Sequence, residues 1–124
     1  MTKRILLVDD EEALRELVSI CLEDLGGWEV VVADSGQAAL LKAESHSPDA
    51  ILLDISMPEM DGFQCYEKLK ENPQTRSIPI VLLTAKVLPD DRARFAQMEV
   101  MGVIPKPFDP KCICNQIATF LGWD

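Results

Sequence analysis

Five polar residues stand where short apolar runs end: Asp9 and Asp10 after RILLV, Asp54 after AILL, Thr84 after IPIVLL, and Lys106 just beyond GVI. Three carboxylates, a hydroxyl and an ammonium on one rim would be an electrostatic problem before being a site. Clustered acids raise one another's pKa unless a cation lies beside them. A hard, oxygen-rich group of two or three carboxylates suits Mg²⁺, which keeps several waters and often bridges to phosphate. One Asp could then act as a nucleophile towards a phosphoryl group, with the metal and Lys106 neutralising its oxygens. The G-x-x-x-x-G-K-[ST] and G-x-G-x-x-G loops are both absent, which argues against a nucleotide site of either type.

The elements that must position these residues can be read from the hydrophobic pattern. The apolar runs are Arg4–Val8, Trp28–Ala33, Ala50–Leu53, Ile78–Leu83 and Gly102–Ile104. Several are rich in Val, Ile and Leu without alternation, as in parallel strands covered on both faces by helices. Helical patterns lie between them. Ala13, Leu14, Leu17, Val18, Cys21, Leu22 and Leu25 recur at three- and four-residue steps until Gly26-Gly27 stops the helix. A second helix follows Asp34-Ser35. A third starts at the N-cap Asp61, carries Phe63, Tyr66 and Leu69, and ends at Asn72-Pro73. A fourth follows Pro89, with Asp90 and Asp91 in its first turn. The last spans Pro110 to Leu121 with Ile113, Ile117, Phe120 and Leu121 as its apolar stripe.

The expected architecture is therefore α/β, a (βα)5 flavodoxin-like doubly wound parallel sheet of strand order 2-1-3-4-5, in a single domain. Ligands of such sheets bind outside the C-terminal strand ends near the switch in strand order. Strand 2 is an edge in this order, so Asp34 and Ser35 are read as a helix cap. Each remaining residue has a plainer reading alone: Asp9 and Asp10 as caps of the first helix, Thr84 as a turn hydroxyl, Lys106 as a solvated surface charge. Caps do not explain why Asp54, on a neighbouring strand, should be aimed at the same place.

A formal net charge of −9 argues against direct attraction to nucleic acid or anionic lipid. No apolar run approaches the roughly 20 residues of a membrane span, and Ile5–Val8 is too short for a signal-peptide core. The chain reads as cytoplasmic. Cys21, Cys65, Cys112 and Cys114 form no C-x-x-C pair, and His46 is the sole histidine, so a zinc site is not expected. The cysteines read as packing thiols and His46 as a surface residue of a polar loop.

In the ordered segments ILLVDDEEALRELV, PDAILLDISMPEMDGFQ, PIVLLTA and IPKPF, the chain resembles the receiver domain of two-component response regulators, whose single-domain prototype is the chemotaxis regulator. The likeness runs along the whole chain, so residues 1–124 are expected to be one receiver domain. It implies a switch rather than an enzyme. Asp54 would be the phosphoacceptor, charged by a histidine kinase or a phosphotransfer protein. Mg²⁺, with Mn²⁺ as a substitute, would be held by Asp9, Asp10, Asp54 and the backbone carbonyl of Ser56. Lys106 would contact the phosphoryl group and Thr84 would be the switch hydroxyl. Pro107 would follow a cis peptide bond, and Met57-Pro58 with Asp61-Gly62 would shape the turn presenting Asp54. By the same resemblance, the surface of helix 4, strand 5 and helix 5 would bind a downstream protein differently in the two states. The chain would be a monomer or a phosphorylation-linked dimer.

The family usually has Tyr or Phe three residues before the Lys, where this chain has Val103. The expectation is a muted switch, or one in which another group takes part, such as Phe95 or a backbone segment. The positions that tune dephosphorylation in the family hold Ser56 and Lys86, and Lys86 is expected to alter phosphate lifetime. Two other readings compete: a receiver cut from a regulator with a DNA-binding or enzymatic output domain, and a small Mg²⁺-dependent aspartyl-phosphate hydrolase. The hydrolase would want an acid or base two residues after the nucleophile, and Ser56 is a poor candidate. The last helix, running to Gly122-Trp123-Asp124 without a charged linker, favours a stand-alone form.

Overall fold

In the computed structural model, which describes residues 2–57, 60–85 and 89–123, five strands alternate with five helices. They are β1 (Arg4–Val8), α1 (Glu12–Asp24), β2 (Glu29–Ala33), α2 (Gly36–His46), β3 (Ala50–Asp54), α3 (Gly62–Glu71), β4 (Ile80–Thr84), α4 (Pro89–Ala96), β5 (Gly102–Pro105) and α5 (Ile113–Leu121). The strands are all parallel, in the order β2-β1-β3-β4-β5. This is the flavodoxin-like arrangement expected from the alternating pattern.

Strand side chains alternate between two apolar layers because successive residues face opposite sides of a sheet. Leu6, Val8, Ile51, Leu53, Ile80 and Leu82 pack with Ala39, Phe63, Leu69 and Phe95 under α2, α3 and α4. Ile5, Leu7, Leu52, Val81 and Leu83 pack with Val18, Leu22, Ile113 and Ile117 under α1 and α5. β1, β3 and β4 are therefore covered on both faces, which is why their sequences are continuously apolar.

The caps follow from local chemistry. Ser35 Oγ accepts the Ala38 N–H at 3.1 Å and starts α2. Asp61 and Gln64 form a reciprocal capping box at α3. Gly27 adopts φ 68° just past α1, a conformation that favours glycine.

Several boundaries differ from expectation. β3 and β4 each run one residue further, taking Asp54 and Thr84 into the ladder, whereas Trp28, Ile78 and Pro79 lie outside it. α5 starts at Ile113 rather than Pro110, because Asp109 folds the preceding residues into a tight turn. Its carbonyl accepts Cys112 N–H at 2.9 Å and its Oδ1 accepts Lys111 N–H at 2.9 Å. Cys112 is thus the residue before α5 and not within it. His46 closes α2 rather than sitting in a loop, although it is exposed. The α1 pattern also divides: Val18, Cys21 and Leu22 are buried, Leu14 is half-buried, and Ala13, Leu17 and Leu25 face solvent.

Candidate functional site

The parallel ladder brings the polar strand ends together. β1 is central, so Asp9 follows Val8 directly beside the end of β3. Asp9 and Asp54 are buried, whereas Asp10 is exposed. Carboxylate oxygens of Asp9, Asp10 and Asp54 lie within 4.8 Å of one another. From the far side of the crevice, Lys106 Nζ approaches Asp9 Oδ2 and Asp54 Oδ1, each at 3.3 Å. The peptide bond between Lys106 and Pro107 is cis, as the resemblance implied.

Thr84 is buried at the end of β4, opposite Pro105 in the register. Its carbonyl accepts the Lys106 N–H at 2.8 Å, which ties the two strand ends together. Ser56 is exposed, and its N–H donates to Asp54 Oδ1 over 3.3 Å. Ile55 O accepts the N–H groups of Met57 at 3.2 Å and Gly62 at 2.9 Å, so the turn after Asp54 closes on its own backbone. A Cβ on Gly62 would lie 2.5 Å from Asp54 O and 2.5 Å from Ile55 Cα. The glycine therefore serves a close backbone approach. Pro58 and Lys86 lie outside the described residues.

Charge balance sets the chemistry. Burial, then the negative charge of Asp9, push the Asp54 carboxyl up to about 6, against the opposing pull of Lys106 and the Ser56 N–H. Burial works against the charged form of Lys106, but Asp54 and Asp9 outweigh it and its pKa rises. It is held as an ammonium. Asp54 Oδ2 is buried and has no hydrogen-bond partner among the described residues. An unsatisfied buried carboxylate oxygen is costly unless a ligand or ion completes it. With Asp9 and Asp10 it makes a hard oxygen donor set, which fits a small divalent cation.

The sequence pattern named Asp9, Asp10, Asp54 and Lys106, which the fold brings together, but missed what holds them. Arg15, on the first turn of α1, reaches back so that Nη1 donates to the Asp9 carbonyl at 3.0 Å. Asp9 Oδ1 accepts the Glu11 N–H at 2.9 Å, a local turn within the acidic run. The only sequence signal for Arg15 is its place in the first turn after DDEE. Val103, at the position usually aromatic in receivers, is half-buried against the α2–α3–α4 layer. Phe95 is buried and stacks on Phe63 at 5.8 Å, and Arg94 lies 3.5 Å above the Phe63 ring.

The comparisons with known proteins converge on one family. A family model for the response regulator receiver domain matches residues 5–118. Response regulator Rre1 of Synechocystis sp. is 40% identical over 106 residues, covering 86% of this chain and 46% of that protein. The phosphate regulon transcriptional regulatory protein PhoB of Escherichia coli is 40% identical over 117 residues, covering 94% of this chain and 51% of PhoB. The chain thus spans about half the length of these curated relatives. Among solved structures, the Vibrio cholerae chemotaxis protein CheY4 superposes with a TM-score of 0.88 at 31% identity, over 97% of this chain and 99% of that one. The receiver domain of the Pseudomonas aeruginosa sensor histidine kinase PA1611 has a TM-score of 0.86 at 29% identity, over 98% of this chain and 99% of its own. That structure holds a magnesium ion in its active-site cleft.

Proposed function

Because this chain belongs to the response regulator receiver family of two-component signalling, we propose that it is a phosphorylation-dependent switch with Asp54 as the phosphoacceptor. Receivers are phosphoacceptors and not enzymes with a separate substrate. The observation that carries the reading is the buried Asp54, with one oxygen 3.3 Å from Lys106 and the other without a partner.

A pKa of about 6 leaves Asp54 mostly ionised at neutral pH but more basic than an ordinary Asp, which suits a nucleophile. Its oxygen forms a bond to phosphorus as the phosphorus–nitrogen bond of a donor phosphohistidine breaks, and the leaving imidazole takes a proton from water. Lys106 offsets the charge gathering on the transferred oxygens. Mg²⁺ or Mn²⁺, held by Asp9, Asp10, Asp54 and the Ser56 carbonyl, would neutralise the phosphoryl oxygens when bound. The magnesium of the PA1611 receiver supports this choice.

The donor is a histidine kinase or phosphotransfer protein. A groove of about 370 Å³ between α1 and the segment after β5, lined by Leu14, Leu17, Lys106, Pro107 and Phe108, opens beside the site and gives a donor an apolar footing. Phosphorylation adds roughly −1.5 to −2 charge and three acceptor oxygens. Thr84 bonds one of those oxygens in the active state, and the α4–β5–α5 face changes its affinity for a downstream protein. With Val103 in place of an aromatic, either the switch is muted or another group, such as Phe95 of α4 stacked on Phe63 of α3, takes part. Among the described residues no helix is long and apolar enough to cross a membrane. The place of action proposed with the receiver reading is the cytoplasm. Oligomeric behaviour is that of a monomer that dimerises, if at all, on phosphorylation.

A second reading is favoured by one observation. Spanning about half of PhoB, a named transcriptional regulatory protein, this chain would be the receiver of a longer regulator. The site chemistry is the same in both.

The test is incubation with a small acyl phosphate and Mg²⁺ followed by intact mass. The expected result is a metal-dependent phosphoryl adduct that Asp54→Asn removes. An adduct that persists in Asp54→Asn removes the nucleophile assignment, and steady turnover of unrelated phosphoesters points to a hydrolase instead.

A further inference from the structure

The two adjacent acids of the rim are held very differently. Asp9 is buried and fixed on every side: its N–H donates to Ala33 O at 3.1 Å, Oδ1 accepts Glu11 N–H, Oδ2 faces Lys106, and its carbonyl accepts Arg15 Nη1 at 3.0 Å. Asp10 is exposed, and no hydrogen bond or ion pair holds its carboxylate among the described residues. The direction in which Asp10 projects is set by the peptide plane that joins it to Asp9. The carbonyl of that plane is the one that Arg15 binds. The first backbone bond of α1, from Arg15 N–H to Glu11 O at 2.9 Å, begins two residues too late to hold it.

We infer that Arg15 is a positioning residue of the metal site, clamping the Asp9–Asp10 peptide so that the exposed Asp10 carboxylate stays within reach of Asp9 and Asp54. The inference rests on the metal reading above and deepens it. A planar guanidinium suits the task, because its forked donors reach back over the helix turn while its charge remains hydrated at the rim. A hydrogen bond from a charged donor is also among the stronger kinds.

Electrostatics makes the test decisive in sign. A guanidinium beside a cation site repels the cation. If Arg15 were only a neighbouring surface charge, its removal would tighten Mg²⁺ binding. If it positions Asp10, removal weakens binding, because a group that orients a metal ligand typically contributes about 10- to 100-fold in affinity.

The experiment is a calorimetric Mg²⁺ titration of the full chain, unaltered and as Arg15→Ala and Arg15→Lys, with amide hydrogen exchange at Asp10 and Glu11 in the metal-free proteins. Arg15 is half-exposed on a helix surface, so both variants are expected to fold, and a urea melt checks this. The expected results are Mg²⁺ affinity about tenfold or more weaker in Arg15→Ala, partial recovery in Arg15→Lys, and faster exchange at Asp10 and Glu11 without metal. Equal or tighter Mg²⁺ binding by Arg15→Ala overturns the inference and leaves the metal reading intact. Unchanged exchange at both amides overturns it likewise. Failure of the unaltered chain to bind Mg²⁺ overturns the metal reading, and this inference with it.

Discussion

The two rims of the sheet treat charge in opposite ways. At the N-terminal rim, Arg4 is matched group by group: its backbone N–H donates to Asp49 Oδ2 at 2.7 Å, Nη1 to His46 O at 2.6 Å, and Nη2 pairs with Glu29 at 3.2 Å. Among the described residues its Nε has no partner. Beside it Lys3 lies 5.3 Å over the Trp123 ring, which packs edge-on to Trp28 at 5.1 Å. At the C-terminal rim, among the described residues, three carboxylates gather around the Lys106 ammonium, with Arg15 on the Asp9 carbonyl, and a buried oxygen is left over. The first rim fastens strands and chain ends together. Among the described residues the second holds more negative than positive charge, and a cation bound there would recover the free energy that this imbalance costs. Charge is thus matched at one end of the strands and left unbalanced, among the described residues, at the other.

Removing a carboxylate at the deficient rim should produce the largest change. Asp10→Ala is expected to abolish Mg²⁺-dependent phosphorylation by a small acyl phosphate, read by intact mass. Because Asp10 is exposed and no ion pair holds it among the described residues, its loss should cost the metal-free protein little stability. A normal adduct in Asp10→Ala would show that the rim does not act as one donor set.

The second expectation concerns Asp54 and pH. Its carboxyl holds a proton more tightly folded, at about 6, than at the ordinary 3.8. Between those values the folded state keeps a proton that the unfolded chain releases. The stability from this group is therefore full below 3.8 and lost as pH rises through about 6. The rise from 3.8 to about 6 corresponds to about 3 kcal/mol. Metal-free Asp54→Asn should therefore be more stable than the parent at pH 7 by up to about 3 kcal/mol, with the gap closing towards pH 4. Urea melts across that range check it, and saturating Mg²⁺ should shrink the gap at pH 7. A gap that widens on acidification would mean that Asp54 is stabilised as an anion, as charges at the opposite rim are.

The contrast explains what could be read beforehand. Strand order and the convergence of Asp9, Asp10, Asp54 and Lys106 follow from hydrophobic period and connection rules, which depend on residue type alone. The start of α5 was not legible, because Asp109 bonds its own neighbours and stops the helical ladder before Ile113, a choice made by one side-chain rotamer. Arg15 was not legible either. On a helix surface an arginine is ordinarily solvated, and only the three-dimensional return of its guanidinium to the Asp9 carbonyl gives it a task. The stacking of Phe63 on Phe95 joins residues 32 positions apart and depends on how α3 and α4 lie together. The departure at Val103 is plain in the sequence, but its packing, half-buried against the α2–α3–α4 layer, depends on the fold.

At the matched rim effects should be modest and silent at the site. Arg4→Ala removes one bond to a carbonyl and one partly exposed ion pair, so a loss of about 1 kcal/mol is expected in a urea melt. Mg²⁺ affinity should be unchanged, because the strand lengths separate the two rims. A metal-binding defect in Arg4→Ala would break the division between them.

The smallest effect should come from within DDEE itself. Glu11 is the residue before α1 and makes no side-chain cap, while Glu12 is its first helical residue and is exposed. Both sit where the unpaired N–H groups of the helix favour negative charge, by roughly 0.3–1 kcal/mol each. Glu12→Ala should therefore lower stability by no more than that, and the loss should shrink in added salt because the interaction is screened. Phosphorylation by the acyl phosphate should proceed at the parent rate, since no Glu12 oxygen belongs to the group formed by Asp9, Asp10 and Asp54. The comparison is with Asp10→Ala, two residues away and also exposed. Equal losses of phosphorylation in the two variants would mean that the acidic run acts through its summed field. Unequal losses place the boundary between site and helix between Asp10 and Glu11, where the backbone turns from the strand end into α1.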